Sequence, residues 1–241
     1  MQFTAPLRSG KLVKRYKRFL ADIELECGEI ITAHCANSGS MLGLKEEGSL
    51  VWVSPNTNPK AKLDWRWELV DREGSLVGIN TARPNAIVEE AILQNKIAEL
   101  AGYDSLKREV KYGENSRIDI LLSNEKSASH CYVEVKSVTL KAETEAEAEE
   151  RRVALFPDSV TSRGKKHLLE LEAMVKEGHR SVMVFLVQRE DVDYFSTADT
   201  IDPAYGQTLR EVLDAGVEAL CYQCAVTTKE IKVVRKLPIK L

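Results

Sequence analysis

Over roughly the first third of the chain, apolar and polar residues alternate with a period of two, in short runs. Such runs occupy 10–25, 30–35, 49–54, 66–70 and 76–79. Turn-forming clusters separate them: Cys27-Gly28-Glu29, Asn37-Ser38-Gly39, Glu47-Gly48, Pro55-Asn56-Thr57-Asn58-Pro59 and Glu73-Gly74. About five short strands in this length fit an OB-like barrel over residues 1–82. The rhythm then changes. Residues 84–101 read as a helix, with Pro84 in the first turn and Gly102 just past the end. Strands are expected at 116–122 and 131–138, and a second helix at 161–176, stopped at Gly178. The run 181–188 is almost wholly apolar, as in a central strand covered on both faces. A third helix at 207–215 and strands at 217–226 and 231–235 complete an α/β unit over 83–241. The acidic stretch 141–152 reads as helical or mobile. The fold class expected is therefore α/β (α+β overall), a barrel followed by an α/β domain.

Composition narrows the picture. The chain has 241 residues, 44% of them hydrophobic and 29% charged, as in an ordinary globular protein. No apolar run is long enough to span a bilayer, and the start lacks the apolar core of a signal peptide. The expectation is a cytoplasmic protein with no membrane partner. Its five cysteines are expected as reduced thiols. Cys221 and Cys224 form a lone C-x-x-C inside a strand-like run, with no further ligands nearby, and read as buried structural residues.

Net charge is −3, but it is unevenly spread. The first twenty residues hold Arg8, Lys11, Lys14, Arg15, Lys17 and Arg18 and no acid. Glu143, Glu145, Glu147, Glu149 and Glu150 reverse the bias. Either run is at least a solvated face. A basic end on an acidic chain also fits a phosphate-binding stripe, with Lys14, Arg15, Lys17 and Arg18 as candidates. Tyr16, Phe19, Trp52, Trp65 and Trp67 fall in the barrel region. They serve either as its core or as a platform for an oligonucleotide.

The candidate chemistry lies in two neighbouring strands. One carries Asp119; the other carries Glu134 and Lys136, whose i, i+2 spacing puts both on one face. If the strands pair, Asp119 faces Glu134. Two close carboxylates repel unless one protonates or a cation binds between them. Oxygen ligands of this kind suit Mg²⁺ (or Mn²⁺). Such a metal polarises a phosphodiester and acidifies a bound water, while Lys136 orients the water or neutralises charge. The alternative is a plain surface ion pair between Glu134 and Lys136. Glu90 falls within an apolar stripe of Ala86, Leu93, Ile97 and Leu100, which makes it a third candidate ligand, with Glu89 in reserve; a capping or interdomain role is the other reading. The second helix begins Thr161-Ser162-Arg163-Gly164-Lys165-Lys166-His167, a basic N-terminus suited to phosphate. Arg163, Lys166, His167 and, beside Asp119, Arg117 are candidate nucleic-acid contacts. His167 is equally readable as a surface histidine, and Arg117 as an acid's partner.

Several of these segments together resemble the sugar fermentation stimulation protein A family. They are Arg15-Tyr16-Lys17-Arg18-Phe19-Leu20-Ala21-Asp22, Ala33-His34-Cys35, Asn37-Ser38-Gly39-Ser40-Met41, Glu109-Val110-Lys111-Tyr112-Gly113, Ser116-Arg117-Ile118-Asp119, Glu134-Val135-Lys136-Ser137-Val138-Thr139-Leu140, Phe156-Pro157-Asp158, and Thr161 to His167. The resemblance implies an N-terminal OB-like domain and a C-terminal domain similar to PD-(D/E)XK nucleases. It further implies DNA binding without sequence specificity and a link to the regulation of maltose or other sugar metabolism. Ala36 and Ser38 replace the family's Pro and Thr, and Ile118 replaces the Pro of the nuclease "PD" pair, leaving Asp119 in place. Three function classes follow: a metal-dependent nuclease on DNA or RNA, a DNA-binding regulator without turnover, and a scaffold that engages a protein through the acidic stretch.

Overall fold

The computed structural model describes residues 1–113, 116–142 and 152–241. The acidic residues Glu143, Glu145, Glu147, Glu149 and Glu150 lie outside the described residues. The first unit is built from β1 (Arg8–Tyr16), β2 (Leu20–Leu25), β3 (Ile30–His34), β4 (Leu50–Pro55) and β5 (Trp65–Arg72), with β6 (Ser75–Gly78) added beside β5. The spatial order is β3-β2-β1-β4-β5. A short parallel pairing, Ala33 with Trp65 and His34 with Arg66, closes the five strands into a barrel. Closure removes open edges, and the inward positions of each strand become the core. Leu12, Ile23, Val51, Val53, Trp67 and Val70 fill it. Gly10 lets β1 and β2 approach closely, since a Cβ there would sit 2.6 Å from the Glu24 carbonyl oxygen.

The run 10–25 is thus a hairpin rather than one strand. Its turn contains no glycine, asparagine or aspartate; Lys17 and Arg18 take left-handed φ values of 47° and 64° instead. Of the barrel aromatics, Trp67 is core, Tyr16, Trp52 and Trp65 are half-buried, and Phe19 is exposed.

The second unit is a six-stranded sheet. It uses β7 (Ser105–Tyr112), β8 (Ser116–Ser123), β9 (His130–Val138), β12 (Arg180–Val187), β14 (Glu218–Val226) and β15 (Ile231–Lys236), in the order β15-β14-β12-β9-β8-β7. A small sheet of β10 (Leu140–Lys141), β11 (Val153–Phe156) and β13 (Tyr194–Thr197) stands beside it. Strand β12 runs parallel to both β9 and β14. It is buried on both faces, which explains its unbroken apolar sequence. Val182, Val184 and Leu186 face α1 (Pro84–Leu93), while Met183, Phe185 and Val187 face α2 (Ser162–Lys176) and α3 (Pro203–Asp214). Cys221 and Cys224 sit in the cores on opposite faces, so they pair with neither each other nor a metal.

Helix α1 ends earlier than the expected 101. Gln94 caps it, Asn95 turns left-handed at φ 54°, and Ala98–Leu100 forms a separate 3₁₀ turn. The first residues cross back to this unit. The Met1 amino group bonds the Glu90 carboxylate and the Ile231 carbonyl oxygen, and the Phe3 N–H donates to the Lys229 carbonyl at 3.0 Å.

Candidate nucleic-acid cleft

Strands β8 and β9 part company partway along, and the candidate site sits in the fork. They pair from Ile120–Val133 to Ser123–His130 and no further towards Asp119. Before Ile120, β8 stays with β7; beyond Val133, β9 stays with β12. The alternation of β8 also breaks here. Ile120 and Leu122 pack on the α1 side, whereas Ile118 joins the α2 side. Asp119 fills the gap: its Oδ2 accepts the Val135 N–H at 2.7 Å and its Oδ1 accepts Asn85 Nδ2 at 2.7 Å. A backbone donor that pairing would have satisfied is met by a side chain instead.

Glu134 and Lys136 project to the α2 side, as their i, i+2 spacing requires. Lys136 Nζ donates to Glu134 Oε1 at 2.7 Å, and the Glu134 side chain is 3% exposed. This is a buried pair, so the reading of a plain surface ion pair does not hold. His167 Nδ1 also bonds Glu134 Oε1, and Lys136 Nζ lies 3.4 Å from the same ring nitrogen. His167 is buried on the inner face of α2 rather than displayed on its surface. Thr161 caps that helix, its Oγ1 accepting the Gly164 N–H at 3.0 Å, and Gly164 allows α2 to lie close to Tyr205.

Electrostatics separate the two carboxylates. Burial, reinforced by the charge of Glu134, pushes Asp119 up to about 6; the bonds from Val135 and Asn85 and the Lys136 charge only moderate this. Burial also acts on Glu134, yet the Lys136 charge and the His167 hydrogen bond outweigh it and hold that carboxyl below its ordinary value. Glu134 Oε2 is buried with no hydrogen-bond partner among the described residues. A buried lone carboxylate oxygen beside a second carboxylate is an arrangement that a hard cation would satisfy. No cluster of three or more His, Cys, Asp or Glu among the described residues is placed to hold a metal. The protein therefore offers two carboxylates, and a Mg²⁺-like ion would fill its other positions with water and phosphate, as that ion prefers.

These groups open into a cleft of about 850 Å³ whose far wall belongs to the barrel. Arg18 and the loop Asn37-Ser38-Gly39 line it there. Arg117, Arg163, Lys166 and His167 line the opposite side. Arg15 plays a different part: its Nη2 donates to the Arg18, Asn37 and Gly39 carbonyl oxygens, at 2.9, 2.8 and 3.0 Å, and so fixes the loop. Lys14 and Lys17 are exposed on the hairpin outside the cleft, Lys14 lying 3.6 Å from Asp22.

Glu90 is a correction. It does not line the cleft; it pairs with the Met1 amino group, and its reserve Glu89 lies 3.4 Å from Arg108. The buried stripe of α1 is Ile87, Val88, Ala91 and Ile92, and Leu93 is 67% exposed. Glu90 therefore flanks the buried face. Asn85, the second residue of α1, is the residue that reaches Asp119.

Two further cleft residues were not anticipated. Glu109 interrupts β7 with φ 55° and approaches Asn85 Nδ2 at 3.4 Å. Asp158 Oδ2 accepts the Met41 N–H at 3.1 Å, while its carbonyl accepts the Ser40 hydroxyl at 2.6 Å, tying the barrel loop to the second unit.

Comparison with known proteins agrees with this architecture. The family model described as "SfsA N-terminal OB domain" matches residues 13–79, and "Sugar fermentation stimulation protein RE domain" matches 82–230. The sugar fermentation stimulation protein homolog of Paramagnetospirillum magneticum is 55% identical over 224 residues, covering 93% of this chain and 91% of the relative. That of Geobacter metallireducens is 52% identical over 242 residues, covering 100% of both. Among solved structures, SfsA of Pyrococcus furiosus in complex with Ca²⁺ superposes with a TM-score of 0.88 at 25% identity, covering 100% of this chain and 98% of that one.

Proposed function

The chain belongs to the sugar fermentation stimulation protein family, and from that premise we propose that it binds nucleic acid and hydrolyses phosphodiester bonds with a divalent metal in the cleft. The observation that carries this reading is the fork. It holds Asp119, Glu134 and Lys136 within one cleft and leaves Glu134 Oε2 buried and unmatched. The complex of the Pyrococcus relative with Ca²⁺ supports the choice of a hard cation. Asp119 and Glu134 would hold the metal, Mg²⁺ or Mn²⁺, which when bound supplies Lewis-acid polarisation of phosphate and a more acidic water.

The chain's own residues supply the rest. Asn85 and the Val135 N–H orient Asp119. Lys136 stands beside Glu134, where its ammonium offsets negative charge that develops on phosphate. His167 holds Glu134 from the other side and keeps its carboxylate ionised. Arg18, Arg117, Arg163 and Lys166 rim the cleft and bind backbone phosphates without reading sequence. DNA is the favoured substrate, with RNA as the alternative. Binding of this kind would serve a regulatory role in sugar metabolism, in keeping with the relatives' names.

The test is incubation with Mg²⁺ or Mn²⁺ and end-labelled single- and double-stranded DNA and RNA. Wild type should cut, and Glu134→Ala and Lys136→Met should not. Absence of cleavage above the Glu134→Ala background, with salt-sensitive binding retained, would replace the nuclease reading by that of a silent binding regulator.

A further inference from the structure

The barrel carries a second cavity, of about 420 Å³, at the end where β3 closes on β5. It falls in the size range of sites for small organic ligands, roughly 300–1,000 Å³. Its polar side chains are basic or amide and are set among Ala36, Ala61, Leu63 and Ala82. His34, Lys62 and Arg66 are basic, Asn56, Asn58 and Asn80 are amides, and no carboxylate among the described residues lines it. Glu68, behind it, is fully buried and already held by Asn80, Ser54 and Arg83. Cations without acids select an anion. Asn56 is engaged with Leu63, Asn58 and Arg66, and Asn80 with Glu68 and Ala82, which leaves the Asn58 amide group as the donor for a heterocyclic edge.

The cavity adjoins the cleft in two ways. They share a wall one residue thick: Ala36, Asn80 and Ala82 line the cavity, while Asn37 and Thr81 line the cleft, and the Thr81 N–H donates to the Ala36 carbonyl at 3.0 Å. A strip of flat groups also runs over the outside. The Arg18 guanidinium, on the cleft wall, lies 5.9 Å from the centre of the Phe19 ring. Phe19 in turn stacks on His34 of the cavity, with centroids 6.5 Å apart and planes 25° apart. Phe19 is 45% exposed and has the Arg18 guanidinium and the His34 ring as its flat neighbours. The hairpin turn that presents it holds Lys17 and Arg18 in left-handed backbone, a conformation that non-glycine residues keep where surrounding structure enforces it.

We infer that this cavity and the Phe19–His34 strip bind a nucleoside phosphate unit of a single strand whose neighbouring phosphodiester enters the cleft. The phosphate meets Lys62 and Arg66; the base stacks on Phe19 and His34 and meets the Asn58 amide. A duplex presents its bases stacked and paired, so only an unpaired nucleotide can enter. The inference rests on the nucleic-acid reading of the cleft, and it names the form of substrate, an unpaired segment. The same phosphate-and-base chemistry is also present in a free nucleotide.

The experiment is fluorescence anisotropy with 5′-labelled oligothymidylate of eight residues, in EDTA so that no turnover occurs, across a salt series. Wild type should bind it more tightly than a blunt duplex of equal length. Phe19→Ala, at an exposed position, should weaken binding by roughly 5- to 150-fold, the range for loss of one stacked base. Lys62→Glu should lower the salt slope by about 0.7, one single-strand phosphate contact. Thermal melting confirms that both variants fold. Thymidine monophosphate that displaces the oligonucleotide assigns the cavity to free nucleotide as well; failure to displace assigns it to the strand. If wild type binds and both folded variants bind with unchanged affinity and slope, this inference falls and the cleft reading stands. If wild type binds no oligonucleotide or duplex at all, both fall.

Discussion

A buried ion pair helps to hold the joint between the two units, and its strength can be measured. Glu68 on β5 is fully buried, while the side chain of Arg83, at the start of α1, is 23% exposed. Arg83 Nη2 and Nε donate to the two Glu68 oxygens at 2.5 and 3.1 Å. Ser54 Oγ and Asn80 Nδ2 donate to the same carboxylate at 2.7 and 2.9 Å. The perturbation is Arg83→Met, which keeps the length of the side chain and removes its charge. Breaking one side of a buried pair typically costs about 3–5 kcal/mol, because the remaining charge is stranded. Two surviving hydrogen bonds and the partial exposure of Arg83 place this case near the lower end, about 3 kcal/mol. In the double variant Glu68→Gln/Arg83→Met no charge is left, and the loss should shrink to about 1 kcal/mol. The difference, about 2 kcal/mol, is the cost of leaving the Glu68 charge buried without its partner. The assay is urea denaturation followed by far-UV circular dichroism, where 2 kcal/mol corresponds to roughly a 1 M shift in midpoint at an m-value near 2 kcal/mol/M. A double variant no more stable than Arg83→Met would refute the reasoning, since burying an unpaired carboxylate would then not be what the single change costs.

Three more expectations concern the cleft. Asp119 keeps its proton to about pH 6 in the folded chain but only to its ordinary 3.8 when unfolded, so the stability that its protonation contributes is fully present below pH 3.8 and is lost as pH rises to about 6. In EDTA, Asp119→Asn should therefore gain on wild type by an amount of order 2 kcal/mol between pH 4 and 7, and a difference independent of pH would contradict the assignment. Divalent cation should raise the melting temperature of wild type, by the equivalent of about 2.7 kcal/mol at a hundredfold excess over Kd, and should leave Glu134→Ala unmoved; an equal rise in both would locate binding elsewhere. Gly39→Ala would drive a methyl group into the Asp158 carboxylate, loosening the loop that Asp158 holds through Met41; a loss of about 1–3 kcal/mol with new proteolytic cleavage near residue 39 is expected, and wild-type protease resistance would count against it.

What the sequence made legible was local. The i, i+2 spacing of Glu134 and Lys136 follows from the pleat alone, and the apolar run of β12 could hardly be anything but a central strand. Errors came where geometry departs from a regular period. Ile97 and Leu100 continue the apolar rhythm of α1 in sequence, yet the helix stops at Leu93, eight residues short of the expected 101, so the stripe expected to enclose Glu90 does not form. Strand β7 escaped notice because Ser105–Tyr112 is mostly charged, as an edge strand can be. The hairpin turn at Lys17 and Arg18 carries none of the usual turn residues. His167 meets Glu134 across 33 positions of sequence, and Asp158 meets Met41 across 117; no spacing rule reaches so far. Arg15 resembles its basic neighbours in sequence, but only the folded loop shows that its Nη2 is spent on carbonyl oxygens.

The Val135 amide has an unusual custodian: its proton is guarded by the Asp119 carboxylate instead of a neighbouring strand. That single N–H is therefore a built-in gauge. Protonating Asp119, or drawing its oxygens towards an ion, must alter the resonance and the deuterium-uptake rate of one peptide group while adjacent ladder amides stay quiet. A spectrometer watching one cross-peak could follow events in the fork without any added label.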